Sequence, residues 1–404
     1  MDRTSLQTST IQDLTDASWP FWPLVPLYPY GTRRTLRREV VQDTIWTFDQ
    51  IQGIFYVVVP IRMTVVRLEA GGLLVYAPIA PTPECLRLMQ DLVAVHGDVK
   101  YILLPTVSGL EHKVFVGPFA RQFPRAQVFV APNQWSYPVN LPLSWLGLPR
   151  KRTQFLPEDP HQVPFADEFD YALLGPIKLG LGPFSEVALC HRPSRSLLVT
   201  DSVISIPPDP PAIVQLDPYP LLFHARDTAL DNLPDTAANR RKGWERICLF
   251  TLYFQPGTLK TPALGEALRE ARQSPDRSRK AYFGLYPFRW QSTWHQSFEA
   301  VHQEGRLWVA PVLQTLILNR APRETLKWAD RIAQWQFERV IPCHFDAPVT
   351  ASPQQFRQAF SFLEDRPLDA SALPEVDLRF MKELEQLLDK FRITPPAQAK
   401  VRLS

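Results

Sequence analysis

From Ile45 onward the chain lays down apolar, β-branched and aromatic segments in quick succession (TIWTF, GIFYVVVP, MTVVRL and LLVYAP) and then changes to helical spacing. That change of period constrains the fold more than any other feature. The first run predicts a β-meander, with Ala70-Gly71-Gly72 turning between its last two strands. Thr82 then offers an N-cap oxygen, and Pro83 takes the first helical position, where a missing N–H costs nothing. Leu86, Met89, Leu92 and Val93 follow at helical intervals up to Gly97. A short apolar strand, VKYILL, comes next, and FARQFP followed by AQVFVAP repeats the helix-to-strand step. Strand, crossover helix, strand implies parallel pairing, because an antiparallel neighbour needs only a hairpin. The expected fold class is α/β, built in layers.

Four parts are expected. Residues 1–44 form an extended Pro/Trp-rich N-terminal arm, and 45–204 the first β-meander and an α/β half that carries the site segments. Residues 205–300 form a mostly helical insertion, in which Trp244, Ile247, Cys248, Thr251 and Leu252 keep helical register. Residues 301–404 supply closing strands and C-terminal helices. In the arm, Trp19 to Tyr30 (WPFWPLVPLYPY) alternates proline with large apolar groups, which favours an extended path. Two readings stay open for it. The arm packs across the protein's own core, or residues 19–38 touch a membrane surface or partner, helped by Arg33, Arg34, Arg37 and Arg38.

Composition narrows the function classes. With 404 residues and 45% apolar content a true core is assured, and 44 basic against 41 acidic residues create no field that would recruit nucleic acid. The cysteines Cys85, Cys190, Cys248 and Cys343 lie far apart, so neither a disulfide framework nor a Cys-x-x-Cys metal site is suggested, and a reducing, cytoplasmic compartment fits. No apolar run reaches the ~20 residues of a membrane span, and the polar start is no secretory signal. Forty-one prolines and eleven tryptophans against sixteen glycines imply rigid connections and large aromatic contacts.

Chemistry concentrates in LLPTVSGLEHK, LLVTDSV and RVIPCHFD. Each puts a ligand-type side chain directly after an apolar strand, where open α/β sheets build their sites. Together they offer Glu111, His112, Asp201 and His344, two carboxylates and two imidazoles, a donor mixture suited to zinc, iron or manganese.

With these segments in place, the sequence resembles the metallo-β-lactamase superfamily, whose His-x-His-x-Asp-His signature follows a strand, with later strands ending in Gly-Asp and near Pro-Gly-His. The resemblance implies a four-layer αβ/βα sandwich with a largely helical insertion. It puts Glu111 at the signature Asp, His112 at the final His, Asp201 at the bridging carboxylate and His344 at the last histidine. The His-x-His pair falls on Val107 and Gly109, and the family's central His turn finds Gly182-Pro183-Phe184. What remains implies a degenerate, at most mononuclear site. The phrases GLEHKVF, NQWSYPVNLP, HRPSRSLLVTD, FHARD and KGWERICLF further resemble a family of cyanobacterial and plastid proteins with this fold, which implies a cytoplasmic or stromal location and no activity.

Two functions follow, held level. One is a metal-dependent hydrolase of an ester, amide or phosphoester with a small-molecule substrate, in which Asp201 or Glu111 takes the proton from water. The other is a non-catalytic binding or assembly factor that kept the fold, lost the catalytic metals and holds a protein partner or an apolar, pigment-like ligand with the arm and insertion. Blander roles are expected elsewhere: His191 as a turn residue facing water, Arg226-Asp227 as a solvated pair, Arg240, Arg241, Lys242 and Arg246 as a wet helix face, and Cys343 as a small buried hydrophobe.

Overall fold

The computed structural model describes residues 6–7, 14–21, 23, 26–107, 111–134, 141–180, 182–365 and 373–402. The first sheet has eight strands in sequence order. They are β1 (Leu6–Gln7), β2 (Leu36–Val41), β3 (Ile45–Ile54), β4 (Val57–Arg67), β5 (Leu73–Tyr76), β6 (Val99–Leu104), β7 (Gln127–Val130) and β8 (Thr153–Phe155). Helices α1 (Pro83–His96) and α2 (Lys113–Gln122) make the crossovers, and β5 to β8 pair in parallel as the strand–helix–strand order requires. Thr82 caps α1 by accepting from the Cys85 N–H at 3.2 Å, and the Gly97 N–H closes its end on Val93 O.

The second sheet orders β15-β14-β11-β10-β9: β9 (Phe169–Lys178), β10 (Pro183–His191), β11 (Ser196–Val199), β14 (Arg339–Pro342) and β15 (Val349–Thr350). Between β11 and β14 lie α3 (Ala212–Gln215), α4 (Tyr219–Ala225), α5 (Ala237–Tyr253), a small ribbon of β12 (Leu259–Lys260) and β13 (Arg289–Trp290), α6 (Leu264–Gln273), α7 (Trp294–His302), α8 (Pro311–Leu316) and α9 (Pro322–Ile332). After β15, α10 (Pro353–Gln358) and α11 (Glu375–Lys390) close the chain.

Period-2 alternation sorts side chains into three apolar layers. Leu73 and Val75 of β5 face α1 and α2, joining Leu88, Met89, Phe115 and Phe119. Leu74 and Tyr76 face the other way and meet Val187, Leu189, Leu198 and Ile341 between the sheets. Ala188, Cys190, Leu197 and Val199 then pack outward against Trp328, Ala329, Ile332 and Phe356 of α9 and α10. Helix, sheet, sheet, helix is the four-layer αβ/βα sandwich that was expected.

One local reading needs correction. The first meander has one long hairpin where three short strands (TIWTF, GIFYVVVP and MTVVRL) were read, because β3 and β4 pair continuously from Ile45↔Val66 to Ile54↔Val57, while LLVYAP forms β5 as expected. The turn falls on Phe55 and Tyr56, both at positive φ (49° and 62°), a conformation that turn rules assign to Asn or Gly. Three arginines of the arm are turned inward. Arg33 is fully buried and donates to Ile51 O at 3.1 Å, Arg37 donates to Leu88 O at 2.8 Å, and Arg34 pairs with Glu84 at 3.3 Å. Trp19 is buried against Phe115 and Tyr28 against Tyr56. In its described residues the arm therefore packs on the protein's own core.

Candidate metal centre

Three chain segments converge at the C-terminal ends of β6, β11 and β14. The parallel register Val199↔Pro342 continues one residue further, with the Cys343 N–H donating to Thr200 O at 3.3 Å. Asp201 and His344, each two residues beyond that register point, are thus delivered side by side. The chain leaving β6 crosses to the second sheet: Val187 N–H donates to Pro105 O at 2.7 Å, and Thr106 bridges Glu186. That crossing carries Glu111, just ahead of α2, over the same point.

The result is a triad. His344 Nε2 lies 2.9 Å from Glu111 Oε2 and 3.0 Å from Asp201 Oδ1, and the ligand-type atoms of all three residues lie within 4.8 Å of one another. His344 Nδ1 meets Pro60 O at 2.9 Å. A carbonyl only accepts, so Nδ1 carries a proton, and Nε2 between two carboxylates carries another. Burial opposes that charge, but the two carboxylates outweigh it and hold the His344 pKa well above the ordinary imidazole value. Burial likewise pushes Glu111 up, yet the charge and hydrogen bond of His344, with a hydrogen bond from Gln52, bring it down to about 2.

His112 stands beside this triad without joining its closest group. Its Nδ1 meets Pro78 O at 3.1 Å, which fixes the proton on Nδ1 and leaves Nε2 as a lone pair. That Nε2 is buried and has no hydrogen-bond partner among the described residues. Burial lowers the His112 pKa, so the ring is neutral. Both histidines are therefore held by a backbone carbonyl on Nδ1, the kind of contact that second-shell carbonyls make to metal-ligating histidines.

Supporting residues escaped the sequence reading. Glu186 on β10 is fully buried and accepts from Thr200 N–H (2.8 Å), Asp201 N–H (3.0 Å), Ser202 N–H (2.9 Å) and Ser202 Oγ–H (2.8 Å). It fixes the turn that presents Asp201. Burial and the Asp201 charge push Glu186 up to about 7 against the pull of those donors. Arg62 donates to Pro342 O (2.7 Å) and Phe345 O (3.0 Å) and pairs with Asp49 at 2.7 Å, tying β3 and β4 to the His344 turn. The available signal was a set of polar residues inside strands, Asp49, Gln52, Arg62 and Glu186, whose burial is the informative case.

Other candidates fall outside the site. Val107 is buried in the inter-sheet core and has no donor atom, and Gly109 lies outside the described residues. His191 does not face water: it is 1% exposed and bonds Ser194 Oγ at 2.7 Å. His224 is buried on Phe55 O (3.0 Å). Asp227 pairs with Lys242 (2.8 Å) and Arg246 (2.6 Å) rather than with Arg226. Arg246 is buried under three carbonyls, so the helix face at 240–246 is only partly wet. Cys343 is buried, and burial raises its thiol pKa well above the ordinary value, so it is the inert small hydrophobe that was expected.

A four-layer αβ/βα sandwich with carboxylates and imidazoles gathered at its strand ends has the metallo-β-lactamase-like architecture. Within that class, the chain belongs to the family described as Domain of unknown function (DUF4336), whose model matches residues 42–362. Among solved structures it is similar to the Flv1 flavodiiron core from Synechocystis sp. PCC6803, at 8% identity, 81% of this chain, 60% of that chain and a TM-score of 0.39. It is similar to a Thermotoga maritima flavoprotein at 7% identity, covering 83% and 62% with a TM-score of 0.41. It is also similar to the DIM-1 metallo-β-lactamase at 13% identity, covering 43% and 71% with a TM-score of 0.30. The chain thus spans 60% of the length of the flavodiiron core it matches. No curated protein matches it. Among the described residues, no helix is long and apolar enough to cross a membrane.

Proposed function

We propose that Glu111, Asp201 and His344 hold one zinc, iron or manganese ion, with His112 as a fourth donor, in a metal-dependent hydrolase of an ester, amide or phosphoester. The carrying observation is the cluster of ligand atoms from Glu111, Asp201 and His344, all within 4.8 Å of one another, next in the chain to His112, whose buried Nε2 has no hydrogen-bond partner among the described residues. A lone pair buried with no donor is costly unless a cation or proton meets it. Two carboxylates and two imidazoles also match the donor chemistry of these ions. On this reading the site is mononuclear, since the positions of the other metal's ligands include Val107 and the Gly182-Pro183-Phe184 turn, whose side chains carry no donor.

A divalent ion supplies Lewis-acid polarisation of the scissile group. The protein's part is positioning and proton handling. Glu111 and Asp201 keep 31% and 26% of their side chains exposed, so either can accept a proton from an attacking water while the other stays a ligand. His344 must shed its Nε2 proton to become a donor, so metal uptake releases a proton.

One observation favours a second reading: both ring nitrogens of His344 already donate to acceptors. The triad would then be a metal-free ionic clamp in a non-catalytic binding protein, in the photosynthetic setting that the phrase resemblance implies. Metal analysis of protein purified without chelator separates the two. About one equivalent is expected, lost in His344→Ala and weakened in His112→Ala. Metal-free wild type that ignores added zinc would leave the clamp and remove the hydrolase.

A further inference from the structure

A separate cavity lies away from the triad. Its volume is about 870 Å³, near the top of the range for small-molecule sites. It opens between the arm, the β3–β4 hairpin and the segment after α6. Ile51 lines it, whereas the next residue, Gln52, bonds Glu111. Neighbours on a strand point to opposite faces, so β3 separates the cavity from the triad.

The walls are rings. Tyr28, Tyr30, Tyr56, Tyr282 and Phe283 line the space, and Tyr56 lies 5.1 Å from Tyr28 and 5.4 Å from Tyr282, centroid to centroid. At the mouth, Phe283 is 70% exposed and the adjoining Phe55 is 61% exposed, an apolar rim that water covers poorly. The charges are unequal. Asp217, the lining carboxylate, is engaged by the Tyr28 hydroxyl and the Tyr219 N–H, and Arg34 is offset by Glu84. Arg279 and Lys280 also line the cavity, and neither is in an ion pair among the described residues. Lys280 Nζ instead sits 4.0 Å over the Tyr219 ring. Asp276 lies close enough to feel Lys280 without pairing with it.

We infer that this cavity is a binding site for a flat, conjugated organic anion: rings stack on the tyrosines while a carboxylate, sulfonate or phosphate group meets Arg279 and Lys280. The inference does not depend on whether the triad holds a metal.

A matched pair of probes tests it on the full chain: 8-anilinonaphthalene-1-sulfonate and N-phenyl-1-naphthylamine, which has the same rings without the sulfonate. The anion is expected to bind with one-to-one stoichiometry and more tightly than the neutral probe. Arg279→Glu/Lys280→Glu should weaken the anion about tenfold or more and shift the neutral probe by less than about twofold. Tyr282→Ala should weaken both, and none of these should change with chelator or in His344→Ala. Thermal melting of each variant confirms folding, and Arg279 and Lys280 are exposed enough to be replaced without repacking. Neutral probe binding as tightly as the anion, anion affinity indifferent to the charge reversal, or both probes indifferent to Tyr282→Ala would each overturn the inference.

Discussion

Glu186 accepts four hydrogen bonds from residues 200–202 and touches no solvent. Replacing it with Gln would aim an NH2 group at backbone N–H donors, with only the Ser202 hydroxyl able to turn round and accept. Glu186→Gln is expected to destabilise the protein by about 2–4 kcal/mol in urea unfolding and to loosen Asp201; a loss below about 0.5 kcal/mol would contradict that role. The triad has its own pH signature. Glu111 is depressed to about 2, so its contribution is complete above its ordinary value of 4.5 and lost as pH falls from there. His344 is raised, so its contribution is complete below 6.5 and lost as pH rises through its folded value. The stability difference between wild type and His344→Ala should therefore peak between about 4.5 and 6.5, at about 3–5 kcal/mol, and shrink on both sides. A difference that grows steadily toward alkaline pH would show that His344 is neutral in the fold. Glu111, Asp201 and His344 were legible because each follows an apolar strand. Glu186 and Gln52 were not, since alternation reads a polar residue in a strand as facing water, and only the crossing of β6 to β10 turns Glu186 inward. His191 was misread for a related reason: its turn folds Ser194 back onto the ring.

Among the elements, α4 and α5 make the closest helix contact that the sequence did not announce. A Cβ on Gly243 would lie 1.8 Å from Leu221 O, and backbone at that distance cannot yield by a rotamer change. Gly243→Ala is expected to cost about 3 kcal/mol or more despite the better helix propensity of alanine, measurable as a fall in the urea midpoint. An unchanged midpoint would mean that the two helices separate freely. Element starts and stops were legible where chemistry marks them, as at Thr82, Pro83 and Gly97 around α1. The β3–β4 turn was not, because Phe55 and Tyr56 are bulky residues held at positive φ by their surroundings: Tyr56 packs against Tyr28, Tyr219 and Phe223 and donates to Lys280 O at 2.7 Å. Tertiary packing there overrides turn propensity.

For the whole molecule, the order of strands and crossover helices disclosed parallel pairing in an α/β layer and the family resemblance implied the four-layer stacking, whereas the meeting of three remote strand ends is a property of how the sheets face each other. The insertion's burial of Arg246 and the inward turn of the arm's arginines were equally invisible, since charge in a sequence does not say which carbonyls will surround it. If the triad binds metal only when folded, zinc at a hundredfold excess over its dissociation constant should add about 2.7 kcal/mol of stability, and chelator should remove it. The most direct test is anomalous diffraction at the zinc edge from crystals grown with zinc. One peak is expected about 2.0–2.2 Å from Glu111, Asp201 and His344 Nε2, with His112 Nε2 drawn toward it. No peak, with His344 Nε2 still bridging both carboxylates, would contradict the metal centre and leave the ionic clamp.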